Sequence, residues 1–228
     1  MSAITMESGL GRAVRIYEAT VGKKAVMAIT GFILFGFVVG HLIGNLQIYA
    51  GPEKINAYAK LLRVSMPLLW TVRLVLLAAV VLHVVAALQL KKLNWDARPV
   101  KYVKYDPAHS TLSSRTMFWG GLTLAAFVIY HLLHFTTGTV HPDFVELSVY
   151  DNVVKGFQVF PVSIFYIIAM ILLGMHLYHG LWSMLHTLGF SHPRYTPWFK
   201  RLAAVFAVLI AAGNISIPVA VLAGIIGS

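Results

Sequence analysis

Apolar residues gather along the chain in five long runs, roughly 25–49, 67–90, 116–138, 157–185 and 199–225, and polar residues in the short stretches between them. Each run is long enough to cross the hydrocarbon core of a bilayer, which takes about 20 residues as a helix. Backbone groups in lipid must be hydrogen-bonded within their own segment, so each run predicts a transmembrane helix. The pattern therefore predicts an all-α integral membrane protein, with 1–228 forming a single transmembrane domain of five helices in one bundle.

Composition narrows the functions open to such a chain. At 58% hydrophobic and 11% charged, it has no stretch left over for a soluble domain, so chemistry on a water-soluble substrate falls to another chain. Cysteine is absent, which excludes disulfides, iron–sulfur ligation and haem attached through a C-x-x-C-H motif. The formal net charge of +10 raises nucleic acid as a partner, but the bases are distributed as topology signals. Most lie in the N-terminal tail (Arg12, Arg15, Lys23, Lys24), the second loop (Lys91, Lys92, Arg98, Lys101, Lys104, Arg115) and the fourth (Arg194, Lys200, Arg201). The other side holds Lys54, Lys60, Arg63, Arg73 and Lys155, and the acidic stretch "HPDFVELSVYDN". The positive-inside rule then places the N-terminus in the cytoplasm and the C-terminus outside, in a multi-pass protein of the inner (cytoplasmic) cell membrane. No cleavable signal peptide is expected, and "GLGRAVRIYEATVGKK" reads as a helix lying on the inner surface. No internal repeat, P-loop or dinucleotide fingerprint is found.

Histidine is the residue that does not belong in such spans. The first holds His41, the second His83, the third His131 and His134, and the fourth His176 and His179, with His186 at its inner end; the fifth has none. An ionisable side chain in a spanning helix is costly and usually faces the bundle interior. A lone histidine can serve only to hydrogen-bond across a helix pair, but four consecutive helices carry at least one each. With spans one and three running outward, His41 and His131 both lie about 24 Å from the cytoplasmic edge. Spans two and four run inward and leave His83 and His176 about 10 to 15 Å from it. Two histidine pairs at two heights result, each drawn from two parallel helices.

Two imidazoles facing each other suit the axial positions of a haem iron, and two stacked haems make an electron path through the bilayer. A zinc site usually wants four ligands close together, which pairs at two heights do not supply. Glycines accompany the histidines: Gly31, Gly36 and Gly40 in span one, Gly120 and Gly121 in span three, Gly174 and Gly180 in span four. They would let a flat macrocycle approach the backbone, or simply let helices pack closely. At the start of span three Ser113, Ser114 and Arg115 are placed to meet propionates, Arg115 serving equally as a topology anchor.

The words around these histidines are "GHLIGNLQ", "VLHVVAALQ", "FVIYHLLHF" and "GMHLYHGLWSM". In them the chain resembles the five-helix, di-haem cytochrome b membrane anchor of succinate:quinone oxidoreductases, the succinate dehydrogenase and fumarate reductase group. Histidine followed four residues later by Gly-Leu-Trp-Ser is the most specific of these matches. The resemblance implies two haem b groups, the proximal one held by His83 and His176 and the distal one by His41 and His131. His134 and His179, one turn away, compete for those roles or stand beside the ligands. It implies as partners a flavoprotein subunit and an iron–sulfur subunit docked on the basic cytoplasmic face, and a quinone (menaquinone or another) in the bilayer. A higher oligomer of the whole complex is compatible with it. Quinone contacts are sought at Glu53, Asn56 and Tyr58 on the outer side and at His109 or Arg115 on the inner side. Either succinate oxidation or fumarate reduction fits, since direction follows the quinone's potential.

Two other readings stand beside this one. A di-haem cytochrome b serving another quinone-linked dehydrogenase or a hydrogenase shares the same chemistry. A proton-coupled transporter with a histidine relay would hold no chromophore, and would usually show repeated or broken helices; Pro218 is the one interior proline evident in a span.

Overall fold

The structure, a computed structural model, describes residues 16–97 and 111–227. Helix α1 (Thr20–Asn45) ends in a 3-10 turn (Leu46–Ala50), and α2 (Pro52–Leu61) is short. Then come α3 (Met66–Asp96), α4 (Leu112–Phe135), a second short helix α5 (Val149–Gln158), α6 (Phe160–Thr187) and α7 (Thr196–Leu222). Five of these, α1 with its 3-10 extension, α3, α4, α6 and α7, are long and apolar enough to cross a membrane. The protein is an all-α, five-span membrane protein. Large apolar side chains cover its outside, among them Phe32, Leu68, Trp119, Ile168 and Val208, each more than half exposed and suited to lipid.

Four helices start on proline at their first or second position, namely α2, α3, α6 and α7. Proline there gives up no intrahelical hydrogen bond and has its φ already set. This explains why the fourth apolar run is two helices rather than one. Residues 157 and 158, expected at the head of that span, belong to the amphipathic α5; Val159 is extended (ψ 98°), and α6 begins at Phe160-Pro161. Hydropathy continues across that corner because Phe157 is buried beneath the outer end of the bundle.

Helix α1 packs on α3, α6 packs on α4 and on α7, and α1 also packs on α6, whereas α3 and α4 touch only lightly. The four histidine-bearing helices thus surround one axis, with α7 on the far side of α6 and α1. At the inner end, where α1 begins, Ile16–Glu18 are helical and separated from α1 by extended Ala19 (ψ 144°), and the Tyr17 hydroxyl donates to Gln89 Oε1 at 2.7 Å. The rest of the expected surface helix lies outside the described residues.

The outer end is capped. Helices α2 and α5 lie against each other, the Tyr150 N–H donating to Asn56 Oδ1 at 3.1 Å, and Arg63 pairs with Glu146 at 3.1 Å. Asn152 ties the loop before α5: its Nδ2 donates to Val145 O, its Oδ1 accepts from Val145 N, and its carbonyl accepts from His141 Nε2 at 2.8 Å. Lys155 pairs with Asp143, holding that carboxyl below its usual range and raising the ammonium. A carboxylate whose folded value is depressed contributes stability above its unfolded value and loses it as pH falls through the folded one. Both groups are fully exposed, so the contribution is small and screened by salt. Lys155→Met is accordingly expected to lower the melting temperature slightly at neutral pH in low salt. The difference should vanish below the depressed Asp143 value or in 1 M salt; a large loss that persists there would mean that Lys155 packs rather than pairs.

Candidate functional site

Two pairs of imidazoles meet across the bundle. His41 of α1 faces His131 of α4 with ring centres 5.8 Å apart, and His83 of α3 faces His176 of α6 at 6.3 Å. Each pair joins helices on opposite sides of the axis, and each consists of the residues that equal depth along the helices brings level. A ligating imidazole nitrogen sits about 2 Å from its metal and about 1 Å from its own ring centre, so imidazoles on opposite sides of one ion have centres about 6 Å apart. Aromatic packing also occurs at this spacing; what it does not account for is the hydrogen bonding.

His83 is held in one tautomer. Thr30 Oγ1 donates its only proton to Val26 O at 2.7 Å, so its 3.2 Å contact with His83 Nδ1 has the imidazole as donor. That leaves the lone pair on Nε2, the form in which histidine ligates metals, with the other nitrogen's hydrogen bond fixing the ring. Opposite it, His176 Nδ1 is buried with no hydrogen-bond partner. A buried polar atom left unpaired costs free energy, most of all within a membrane. Glycine gives both inner imidazoles their room: a Cβ on Gly31 would lie 3.3 Å from His83 Cε1, and one on Gly121 would lie 3.4 Å from His176 Cε1. A narrow crevice beside His176 is lined by Ser113, Thr116, Met117 and Gly120 of α4.

Gly31 and His41 on α1, and Gly121 and His131 on α4, are each ten residues apart. On both helices the glycine faces the inner pair and the histidine belongs to the outer one, so the pairs stand about 15 Å apart along the bundle. The two helices present the same device from opposite sides.

In the outer pair His131 Nδ1 lies 3.3 Å from the Tyr166 hydroxyl, and that hydroxyl also lies 3.0 Å from His134 Nδ1. His41 stacks on Phe37 at 5.3 Å and His131 on Phe127 at 5.8 Å. His134 is wholly buried, with its Nε2 unpartnered and its ring stacked 5.0 Å from that of His141. Both nitrogens of His141 are used by the backbone: Nε2 donates to Asn152 O and Nδ1 accepts from Asp143 N. His41, His83, His131 and His176 are only partly buried, whereas His134 is wholly buried.

His179 has its Nδ1 buried and unpartnered and meets Trp182 edge-on at 5.5 Å, while Lys200 Nζ lies over the Trp182 ring, 4.8 Å from its centre. Ser114 and Arg115 are exposed, and it is Ser113 and Thr116 that line the His176 crevice. Tyr58 packs on Gly44, three residues beyond His41, where a Cβ would come 2.6 Å from its ring. Glu53 is exposed on the cap, Asn56 is engaged in joining α2 to α5, and His109 lies outside the described residues. Among the described residues no three His, Cys, Asp or Glu side chains converge on one metal position; the arrangement is one of pairs.

Reasoning from the sequence overlooked Thr30, Tyr166 and His141. Their signal was present, since Thr30 in "AITGF" and Tyr166 in "IFYII" are polar side chains inside lipid-grade runs. No family model matches the chain, and no curated protein and no solved structure matches it.

Proposed function

We propose that the chain is a di-haem cytochrome b membrane anchor of a succinate:quinone oxidoreductase, carrying electrons between a cytoplasmic iron–sulfur subunit and a quinone in the bilayer. The observation that carries the di-haem part of this reading is the spacing of the two cross-bundle pairs, about 6 Å between imidazole centres in each, and the choice of oxidoreductase rests on the resemblance of the histidine-bearing stretches. Bound between such histidines, haem supplies a reversible one-electron couple. His83 and His176 would hold the inner group, and His41 and His131 the outer one. Thr30 fixes the His83 tautomer, and Gly31 and Gly121 keep the inner imidazoles in place without crowding them. Basic residues at the inner end, Lys91 and Lys200 among those described, suit an acidic docking surface on the partner.

The reading predicts two b-type haems per chain in the purified complex, counted by pyridine haemochrome and seen in the reduced-minus-oxidised spectrum. Co-purification with flavin and iron–sulfur subunits, and reduction of the haems by succinate, would separate it from a cytochrome b of another dehydrogenase or hydrogenase. A purified chain with no haem would overturn it in favour of a proton-coupled transporter.

A further inference from the structure

Tyr166 touches two histidines that the sequence leaves in competition. Its hydroxyl reaches Nδ1 of His131 and Nδ1 of His134, both on α4 and three residues apart, from a buried position on α6. A phenol has one proton to donate and otherwise accepts. Among the described residues no other acceptor lies within hydrogen-bond reach of the Tyr166 proton, so satisfying it makes one Nδ1 the acceptor and leaves the other to donate to the phenol oxygen. In neutral imidazoles this makes the tautomers opposite: whichever ring donates through Nδ1 keeps its lone pair on Nε2, and the other carries its proton there. Only one of the two can be an Nε2 ligand at a time.

Surroundings decide which. His134 Nε2 lies against α5, where a Cβ on Gly156 would come within 3.1 Å of it, and it is sealed from any space between the helices. His131 faces His41 across the bundle and is only partly buried. We infer that Tyr166 is a positioning residue that selects His131 over His134 as the outer donor, by accepting the His131 Nδ1 proton and giving its own to His134. The inference rests on the di-haem reading and deepens it. It also makes the two pairs chemically unequal. The inner donor His83 gives its proton to Thr30, which is itself a donor to a helix carbonyl. The outer donor His131 gives its proton to a phenol that is polarised by a second imidazole. Hydrogen bonding of the remote N–H raises a ligand's basicity and stabilises the oxidised metal.

The test is Tyr166→Phe in the assembled complex, followed by redox titration of each haem and by electron paramagnetic resonance of the ferric state. The expected result is an upward shift of the outer haem's midpoint potential and a changed outer signal, with the inner haem unmoved. An unchanged outer potential, or equal shifts of both haems, would overturn the inference. Should that variant fail to assemble, His134→Gln decides: it keeps Tyr166 as acceptor, so the outer haem is expected to remain, and its loss would make His134 the ligand. Should the wild-type chain hold no haem, the di-haem reading falls by itself. Tyr166 is then judged by 15N resonance of labelled histidine, where opposite tautomers at His131 and His134 support the coupling and identical ones refute it.

Discussion

If the chain holds the two proposed haems, His176→Ala is expected to take its haem content from two to about one, removing the inner haem and sparing the outer. The expectation follows from how each ring is held. His176 Nδ1 has no protein partner, so its removal breaks no hydrogen bond and leaves no donor or acceptor stranded. What it does remove is the one imidazole that faces His83 among the described residues, and one axial ligand does not hold haem as two do. The outer pair lies about 15 Å away along the bundle and shares no side chain with the inner. Its surviving spectrum therefore doubles as proof that the bundle has folded. His131→Ala is the mirror experiment, with the inner haem surviving. The measurement is a haemochrome count with low-temperature difference spectra to separate the two haems, and retention of both in His176→Ala would remove His176 from the ligands.

That these residues stand opposite one another was legible before any coordinates, because a helix converts sequence number into depth. His41 and His131 each lie about sixteen residues along helices that run in the same direction, and two equal counts put two side chains at one height. Hydropathy revealed the five spans for the same kind of reason: lipid contact needs apolar side chains over a definite length. It was less informative wherever apolar residues have another task. Phe157 looked like the start of a span and is instead buried under the cap, and the continuation of α3 through Lys91, Lys92 and Trp95 to Asp96 leaves the apolar run while remaining helical. The cap helices α2 and α5 alternate polar and apolar positions over ten residues each, too short to register as spans. Their starts were nonetheless marked in one case by Gly51-Pro52, where glycine takes φ 95° and proline opens the helix. The hydrogen-bond partners were the least legible part. Nothing in the spacing of Thr30 or Tyr166 says which histidine each will meet, since Thr30 and His83 come from different helices, as do Tyr166 and His131. Only the packing of α1 on α3, and of α4 on α6, brings them together.

On the same proposal, Gly31→Val and Gly121→Val are each expected to abolish the inner haem and leave the outer one, although both glycines sit on the helices that carry the outer histidine pair. The reason is where their missing side chains would go. A Cβ at position 31 meets His83 Cε1 at 3.3 Å and one at 121 meets His176 Cε1 at 3.4 Å. The first is already tight and the second is in van der Waals contact before valine adds its two stiff γ-methyl groups. The imidazoles must turn away, and His83 in doing so loses its bond to Thr30. His41 and His131, ten residues further along the same helices, feel none of this. If the glycines serve only to let helices pack, the result differs in kind. Valine would then push α1 from α3 or α4 from α6, and both haems would be lost together with the melting temperature. Difference spectra and thermal melts of the two variants in detergent therefore discriminate the readings. Loss of the inner haem alone, from either side of the bundle, would mean that Gly31 and Gly121 act on the histidines they face across the helix interface rather than on those of their own helices.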